Sequence, residues 1–367
     1  MTVSLCVIAF NEESAIGNLL NDILKQSYPK KLTEIVLVDS DSTDSTKKIL
    51  LDFAARHKNK YWDILVLDNR RRSQAAGWNT AVSAAHGDVI IRIDAHANIP
   101  PEFTERNMNL ISEGEFVCGG ARPNNIDEPT PYREMLLLAE SSMFGSSFAS
   151  YRRQGSGKEY VDSLFHAAYS REVFAKVGGF NEDLGRTEDN ELHYRIRKNG
   201  FKICQSSDII SYQNIRPTFK KMAAQKFANG KWIGLTSGVC PQCLSVFHFA
   251  PFCLVIAVIA GLLLLIAGHP LPLLILAALY AAGDIVMTVA AIVSAEHKSL
   301  WQLLLPAVFP ALHFSYGIGT LIGIVLLPLW KSGLDGSANA RIEYVKNKVI
   351  KNSHGGKAND FSADKDS

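Results

Sequence analysis

Val89-Ile90-Ile91-Arg92-Ile93-Asp94-Ala95-His96 runs an apolar, β-like stretch into a carboxylate and an imidazole two residues apart. Side chains alternate faces along a strand, so Asp94 and His96 project to the same side where the run ends, and both can reach one divalent cation. A cation held there would neutralise a diphosphate. Taken alone, the same residues read equally well as an Asp that caps the next helix and an ordinary loop histidine, so the decision rests on their neighbours.

Outward from this stretch, Val3 to Ala9, Ile35 to Val38, Ile64 to Leu67 and Val89 to Ile93 read as buried strands. Helix-like stretches starting near Ser14, Ser45, Ser73 and Pro101 alternate with them. Crossovers of that length predict a mostly parallel sheet covered by helices, with ligands outside the carboxyl ends of the strands. The loops at those ends hold Asn11-Glu12-Glu13, Asp39-Ser40-Asp41 and Asp94-Ala95-His96, three acidic stations on one edge. The alternation is less regular through Gly155-Ser156-Gly157 and Gly178-Gly179-Phe180-Asn181-Glu182. Glu188-Asp189-Asn190-Glu191-Leu192 then opens an amphipathic run, where capping by first-turn carboxylates competes with a catalytic reading. No internal repeat is present.

The 47% hydrophobic content of the 367 residues hides an asymmetry. Up to about Ser245 the chain is mixed and charged like a soluble enzyme, and from Phe249 to Trp330 it is almost continuously apolar. The expected organisation is a cytosolic domain over 1–245, a membrane domain over 246–330 and a polar, partly disordered tail over 331–367. A net charge of +2 carries no basic surplus of the kind that announces nucleic acid. Six scattered cysteines suit a reducing compartment, and Cys240 and Cys243 have no second pair with which to build a zinc site. Met1-Thr2 leads straight into a strand, without a basic region, apolar core and cleavage site, so the large domain is expected in the cytosol.

Phe249 to Gly268 and Leu271 to Val293 are each long enough to cross a bilayer core, and the short His269-Pro270 link makes them a hairpin. Lys220, Lys221, Lys226 and Lys231 before the hairpin and Lys298 after it fit the cytoplasmic side. The third apolar region, Leu303 to Leu329, contains Pro306, Pro310 and Pro328 and reads as a broken, re-entrant or interfacial element, which leaves the parity of crossings open. The basic tail favours an even number. Asp284 and His313, inside apolar runs, are either functional groups, paired with each other, or a polar contact between helices.

In order and spacing, Ile8-Ala9-Phe10-Asn11-Glu12-Glu13, Val38-Asp39-Ser40-Asp41 with the Ser/Thr run to Thr46, Asn79, Arg92-Ile93-Asp94-Ala95-His96 and Glu188-Asp189-Asn190-Glu191-Leu192 resemble family 2 glycosyltransferases. The Asp-Ala-His form, Gly179-Phe180-Asn181-Glu182 and the C-terminal membrane segments look most like succinoglycan-type bacterial exopolysaccharide glucosyltransferases. The resemblance implies an α/β GT-A fold, Rossmann-like with a mostly parallel central sheet, followed by transmembrane helices. It implies a nucleotide-diphosphate sugar donor of UDP-glucose type, a divalent metal (Mn or Mg), inversion at the anomeric carbon and a lipid-linked saccharide acceptor at the inner membrane.

By that resemblance Ala9, Asn11, Glu12, Asp39, Asp41, Arg71, Asn79 and Asp94 hold the nucleotide, Asp94 and His96 the metal, and Asp189 is the base, supported by Glu188. Asp39 can accept the uracil N3 proton and Glu12 can accept from ribose hydroxyls. Arg71 or Arg72 pairs with base or phosphate, or is simply solvated. The sugar pocket falls on the loops around Gly119-Gly120-Ala121-Arg122 and Asp162 to His166. Family members commonly carry Asp-x-Asp where this chain has Asp94-Ala95-His96. The processive Gln-x-x-Arg-Trp motif is matched only by Gln225 and, further on, Lys231-Trp232, which argues against a long product channel and leaves these three as acceptor or diphosphate contacts.

Three other readings compete. A polyprenyl-phosphate sugar synthase shares the fold but needs a base less, because its acceptor is already an anion. A nicotinamide oxidoreductase is opposed by Asn11-Glu12-Glu13 where a Gly-rich turn would be needed. A catalytically silent sugar-nucleotide-binding scaffold is opposed by the filled acidic stations.

Overall fold

A computed structural model describes residues 1–145 and 157–355. The Gly155-Ser156 pair and the tail from 356 lie outside the described residues. The four expected strands form as β1 (Val3–Ala9), β2 (Thr33–Asp39), β3 (Asp63–Asp68) and β4 (Val89–Asp94). The helices between and after them are α1 (Ile16–Leu24), α2 (Thr46–His57), α3 (Gln74–Ala84) and, beyond the short β5 (Ala97–Asn98), α4 (Phe103–Ser112). Ser73 starts α3 as expected, its hydroxyl accepting the Ala76 N–H at 3.2 Å.

The pairs β3–β2, β2–β1 and β1–β4 are parallel. β6 (Val117–Ala121), β8 (Lys158–Tyr160), β9 (Ala168–Ser170) and β10 (Cys204–Ile210) extend the sheet to eight strands in the order β3-β2-β1-β4-β9-β6-β10-β8. β9 runs antiparallel between β4 and β6. The short β11 (Tyr212–Asn214) pairs with β5 at the edge where the site lies.

Alternation on the strands builds the core. Leu5, Val7, Ile35, Leu37, Ile91 and Ile93 face Ile16, Leu19 and Ile23 of α1 and Phe103 of α4 in one cluster with no water access. On the opposite face α3 brings Gly77 close to the Ile8 side chain, so this helix lies near the sheet.

The chain divides into two compact units whose limits differ from the expected domains. Among the described residues, the first contains 1–122, 157–213 and 335–355, and the second 123–145 and 214–334. The tail is therefore not a separate polar appendage. Its α12 (Ala338–Gly355) packs on α3 and on α6 (Arg171–Val177), burying Ile342, Val345 and Val349. Those positions recur at helical spacing, which is the physical reason a polar segment folds back. The Ile342 carbonyl accepts the Gly179 N–H at 3.1 Å, so α12 holds the loop that leads to α7 (Glu188–Lys198).

In the second unit, β7 (Asn124–Asn125) and α5 (Pro131–Ser141) precede α8 (Phe219–Thr236), α9 (Ala250–Ile266), α10 (Leu271–Ser294) and α11 (Leu305–Ser332). Among the described residues, three helical stretches are long and apolar enough to cross a membrane. The expectation of a broken third element is corrected, because α11 is one continuous helix with Pro310 and Pro328 inside it. Pro306 sits in its first turn, where no intrahelical N–H is required, and Pro328 lies in its last turns. His313 does not pair with Asp284: its ring contacts the Tyr280 hydroxyl at 2.7 Å and the Phe144 carbonyl at 2.6 Å. The six cysteines are free.

Candidate active site

Among the described residues, the non-glycine positions with positive φ are Asn11, Asp41, Arg72 and His166. All four sit on loops at the carboxyl edge of the parallel strands. A left-handed non-glycine residue costs about 1–3 kcal/mol, and such strain persists where surroundings fix it.

The first two acidic stations form one woven loop pair. Asn11 Oδ1 accepts the Thr43 N–H at 2.8 Å, Glu12 N–H donates to Thr46 Oγ1 at 2.8 Å, and the Ala9 carbonyl accepts the Ser40 N–H at 2.8 Å. Asp39 is buried, with Oδ2 accepting the Ser42 N–H at 3.2 Å. Its Oδ1 is buried without a hydrogen-bond partner, an acceptor of the kind a nucleobase N–H satisfies. Asp41 is exposed and ion-paired with Arg72, Nη2 to Oδ2 at 2.6 Å.

The third station meets the start of α7. Arg92, buried on β4, stacks its guanidinium on Trp78 at 4.7 Å and lies 3.9 Å from both Asp94 and Glu188. Asp94 also lies 3.9 Å from Arg122 and 3.3 Å from His166 Nε2. Burial raises the Asp94 pKa, but the contact with His166 and the charge of Arg92 outweigh it and hold the carboxyl well below its ordinary range. Burial pushes His166 down, which suits a neutral ring donating from Nε2 to Asp94 and accepting at Nδ1 from Ser211, 2.8 Å away.

Burial and the adjacent Asp189 push Glu188 up to about 8, against the pull of Arg92. Burial raises Asp189 as well. Two guanidiniums, of Arg92 and Arg122, thus lie among three carboxyls, two of which burial raises.

His96 stands at the end of β4, with Nδ1 3.0 Å from Glu12 Oε1 and Nε2 3.4 Å from Gln213 Nε2. No group of three or more metal-capable side chains occurs among the described residues. Asp94 and His96, the residues expected at a metal, offer a carboxylate held well below its ordinary range and an imidazole beside the Glu12 carboxylate. That donor set fits a hard cation that completes its shell with diphosphate oxygens and water.

Two residues expected at the nucleotide have partners within the protein. Asn79 Nδ2 donates to the Phe180 carbonyl at 2.9 Å and to Glu182 Oε1 at 2.8 Å, while its Oδ1 accepts the Phe180 N–H at 2.7 Å. Its amide is fully engaged in holding the loop before α7. Arg71 pairs with the same Glu182, which also meets Arg341 of α12. Gln225, Lys231 and Trp232 lie on α8, in the other unit.

Residues 4–178 match the model of glycosyl transferase family 2. The match covers a little under half of the chain. It is 32% identical over 207 residues to a succinoglycan biosynthesis protein, ExoA, of Rhizobium meliloti, covering 55% of this chain and 60% of that protein's length. It is 26% identical over 239 residues, 64% of this chain and 73% of the relative, to a dolichyl N-acetyl-glucosaminyl phosphate diacetamido-dideoxy-glucuronosyltransferase of Methanococcus voltae. A mannosyltransferase of Pyrobaculum calidifontis, solved with GDP-Man and Mn2+, shares the fold at a TM-score of 0.54 and 20% identity, over 90% of this chain and 87% of that one.

Within the matched residues, sequence reading missed the parts of the site that only the sheet assembles. Arg92 interrupts an apolar run and drew no role of its own, and Arg122 and His166 were placed only in sugar-pocket loops. A charged residue inside an otherwise continuous buried strand is the signal that finds Arg92.

His193 lies beneath the same cluster, its ring between Ser163 Oγ and Tyr169 Oη, each at 2.8 Å. Burial, with the charges of Arg92 and Arg197, pushes it down to about 3 from an ordinary 6.5. The unfolded chain takes up this proton as pH falls through 6.5 and the folded chain refuses it until about 3. His193 therefore stabilises the fold above pH 6.5, and that contribution is lost on acidification. Denaturation measured from pH 7.5 to 5 should show a steeper loss of stability in the wild type than in His193→Gln, by at most about 1.4 kcal/mol per pH unit. Equal slopes would refute the assignment.

Proposed function

We propose that the protein is a membrane-anchored, inverting glycosyltransferase that moves a hexose from a nucleotide-diphosphate sugar, of UDP-glucose type, to a lipid-linked saccharide in cell-surface glycan synthesis. The observation that carries this reading is the Asp94–Arg92–Glu188 line, which joins the nucleotide edge of the sheet to the carboxyl pair opening α7. The names of the relatives support the substrate class: one acts in succinoglycan synthesis, and the other transfers to a dolichyl-phosphate-linked sugar.

In this reading Asp39 takes the base through Oδ1, Glu12 the ribose, and Asp94 with His96 hold the metal. A divalent ion bound there supplies charge for the departing diphosphate. Glu188, which burial and its neighbour Asp189 raise, holds a proton in this reading, and Asp189 acts as the carboxylate at the start of α7. Asp189 takes the proton of the acceptor hydroxyl as that oxygen bonds to the anomeric carbon. The bond from that carbon to the diphosphate breaks, and the nucleoside diphosphate leaves with the electron pair. Attack on the face opposite the leaving group inverts the centre.

The test is nucleoside diphosphate release by the purified, detergent-solubilised protein from a panel of sugar nucleotides, with Mn, Mg or chelator, and with or without membrane lipid extract. Release that requires metal and rises with extract supports the proposal. Transfer to a bare polyprenyl phosphate would instead establish the sugar-phosphate synthase. Nucleotide binding without release from any donor would make the protein a scaffold.

A further inference from the structure

We propose that only α9 and α10 cross the bilayer, and that α11, although long enough to span it, lies along the membrane interface on the side of the catalytic unit. This inference is independent of the donor and acceptor assigned above.

Connectivity gives the first argument. Residues 1–122, 154–213 and 335–355 belong to one folded unit, so the chain between 214 and 334 leaves that side of the membrane and returns to it. An even number of crossings is required. Three helical stretches qualify by length and composition, and one of them does not cross.

Packing within the second unit identifies which. α9 and α10 are joined by four residues, Ala267 to Pro270, and only 11% of each apolar window is buried in protein, against 28% for the stretch containing α11. A hairpin with lipid on most sides is what the first two form. α11 lies chiefly against α8, a helix rich in lysine, and it also meets α9, α10 and α5. A Cβ placed on Gly230 of α8 would come within 2.0 Å of the Tyr316 carbonyl oxygen, and one on Gly323 within 2.2 Å of the Lys231 carbonyl oxygen. The two backbones therefore touch over more than two turns.

α8 carries Lys220, Lys221, Lys226 and Lys231 in eighteen residues, so a helix in lengthwise contact with it cannot stand in the hydrocarbon core without drawing those charges in. Toward its start α11 packs Leu305, Phe309 and Leu312 on Met135 and Leu136 of α5, and Lys226 bonds Glu140 of α5 at 3.0 Å.

The remaining face of α11 fits a lipid headgroup–acyl boundary. Ile318, Val325 and Leu329 are exposed, and the ends carry aromatic pairs: Trp301 with Tyr132 at 5.2 Å, and Trp330 with Trp232 at 6.0 Å. Apolar residues on one side, with Trp and Lys at the margins, describe a helix lying in the interface plane.

The experiment places single reactive thiols, in a Cys253→Ser background, with Asn59→Cys, His269→Cys, Glu296→Cys and Ser337→Cys. A membrane-impermeant maleimide is applied to intact cells and to inverted membrane vesicles. The proposal expects positions 59, 296 and 337 to label from one face and position 269 from the other, with at least a tenfold difference between faces. Labelling at 296 from the face opposite 59 would make α11 a span and overturn the proposal, as would labelling at 337 opposite 59. Parallax quenching by bromolipids, read from a fluorophore at position 325, should place it shallow. A mid-bilayer depth would overturn the proposal equally.

Discussion

Asp189→Asn is expected to lower the rate of sugar transfer by about 10²–10⁴-fold while leaving nucleotide-sugar affinity within a fewfold of wild type. The size follows from removing the proposed base, one of two adjacent buried carboxyls. Affinity is kept because nucleotide contacts are assigned to the ends of β1, β2 and β4. Glu188→Gln serves as the internal comparison. An amide imitates the protonated Glu188, so this variant should lose roughly tenfold, clearly less than Asp189→Asn. Single-turnover rates with saturating donor separate the two. Equal losses, or a larger loss for Glu188→Gln, would exchange the roles of the pair.

Asp94→Ala is expected to abolish metal-dependent turnover and also to destabilise the catalytic unit by about 3–5 kcal/mol, the usual effect of leaving buried charge uncompensated. Arg92 and Arg122 are almost entirely buried, and Asp94 is a carboxylate both approach at 3.9 Å. His166 would lose the acceptor at 3.3 Å. His96→Ala removes the other proposed ligand but leaves that cluster intact, so it should weaken metal dependence with little change in stability. Thermal denaturation beside a manganese titration measures both. If Asp94→Ala melts like wild type, the electrostatic account of the cluster is wrong; if its turnover survives, so is the metal assignment.

The two variants also show which parts of the site were legible. Strands β1 to β4 and the three acidic loops were readable because β-branched runs end in Asp, Asn and Glu, and both signals are local. Ser73 announced α3 for the same reason. The Arg92 cluster was not readable as a cluster, because Arg122 and His166 reach Asp94, and Glu188 reaches Arg92, from three remote segments, and nothing in their local sequence states which loop they meet. Asn79 was assigned to the nucleotide by resemblance, whereas the fold uses its amide to tie Phe180 and Glu182. Of the alternatives read for α11, the broken one fails, because Pro306 occupies the first turn, where it breaks nothing, and the helix continues through Pro310 and Pro328. In α12 the charges of Arg341, Lys346, Lys348 and Lys351 drew attention from the spacing of Ile342, Val345 and Val349, which alone marked a buried face.

The return of α12 to α3 and α6 orders events during biosynthesis. The catalytic unit contains residues on both sides of the membrane helices in sequence, so a ribosome that has completed residue 213 has made a unit still lacking its last helix. At about 5–20 residues per second, the intervening 214–334 occupy roughly 6–24 s. Until then Gly179 lacks the Ile342 carbonyl, and Glu182 lacks Arg341, on the loop that leads to Glu188 and Asp189. Anchoring therefore precedes completion of the catalytic loop, and a nascent chain that has not yet inserted is an enzyme without its final clasp.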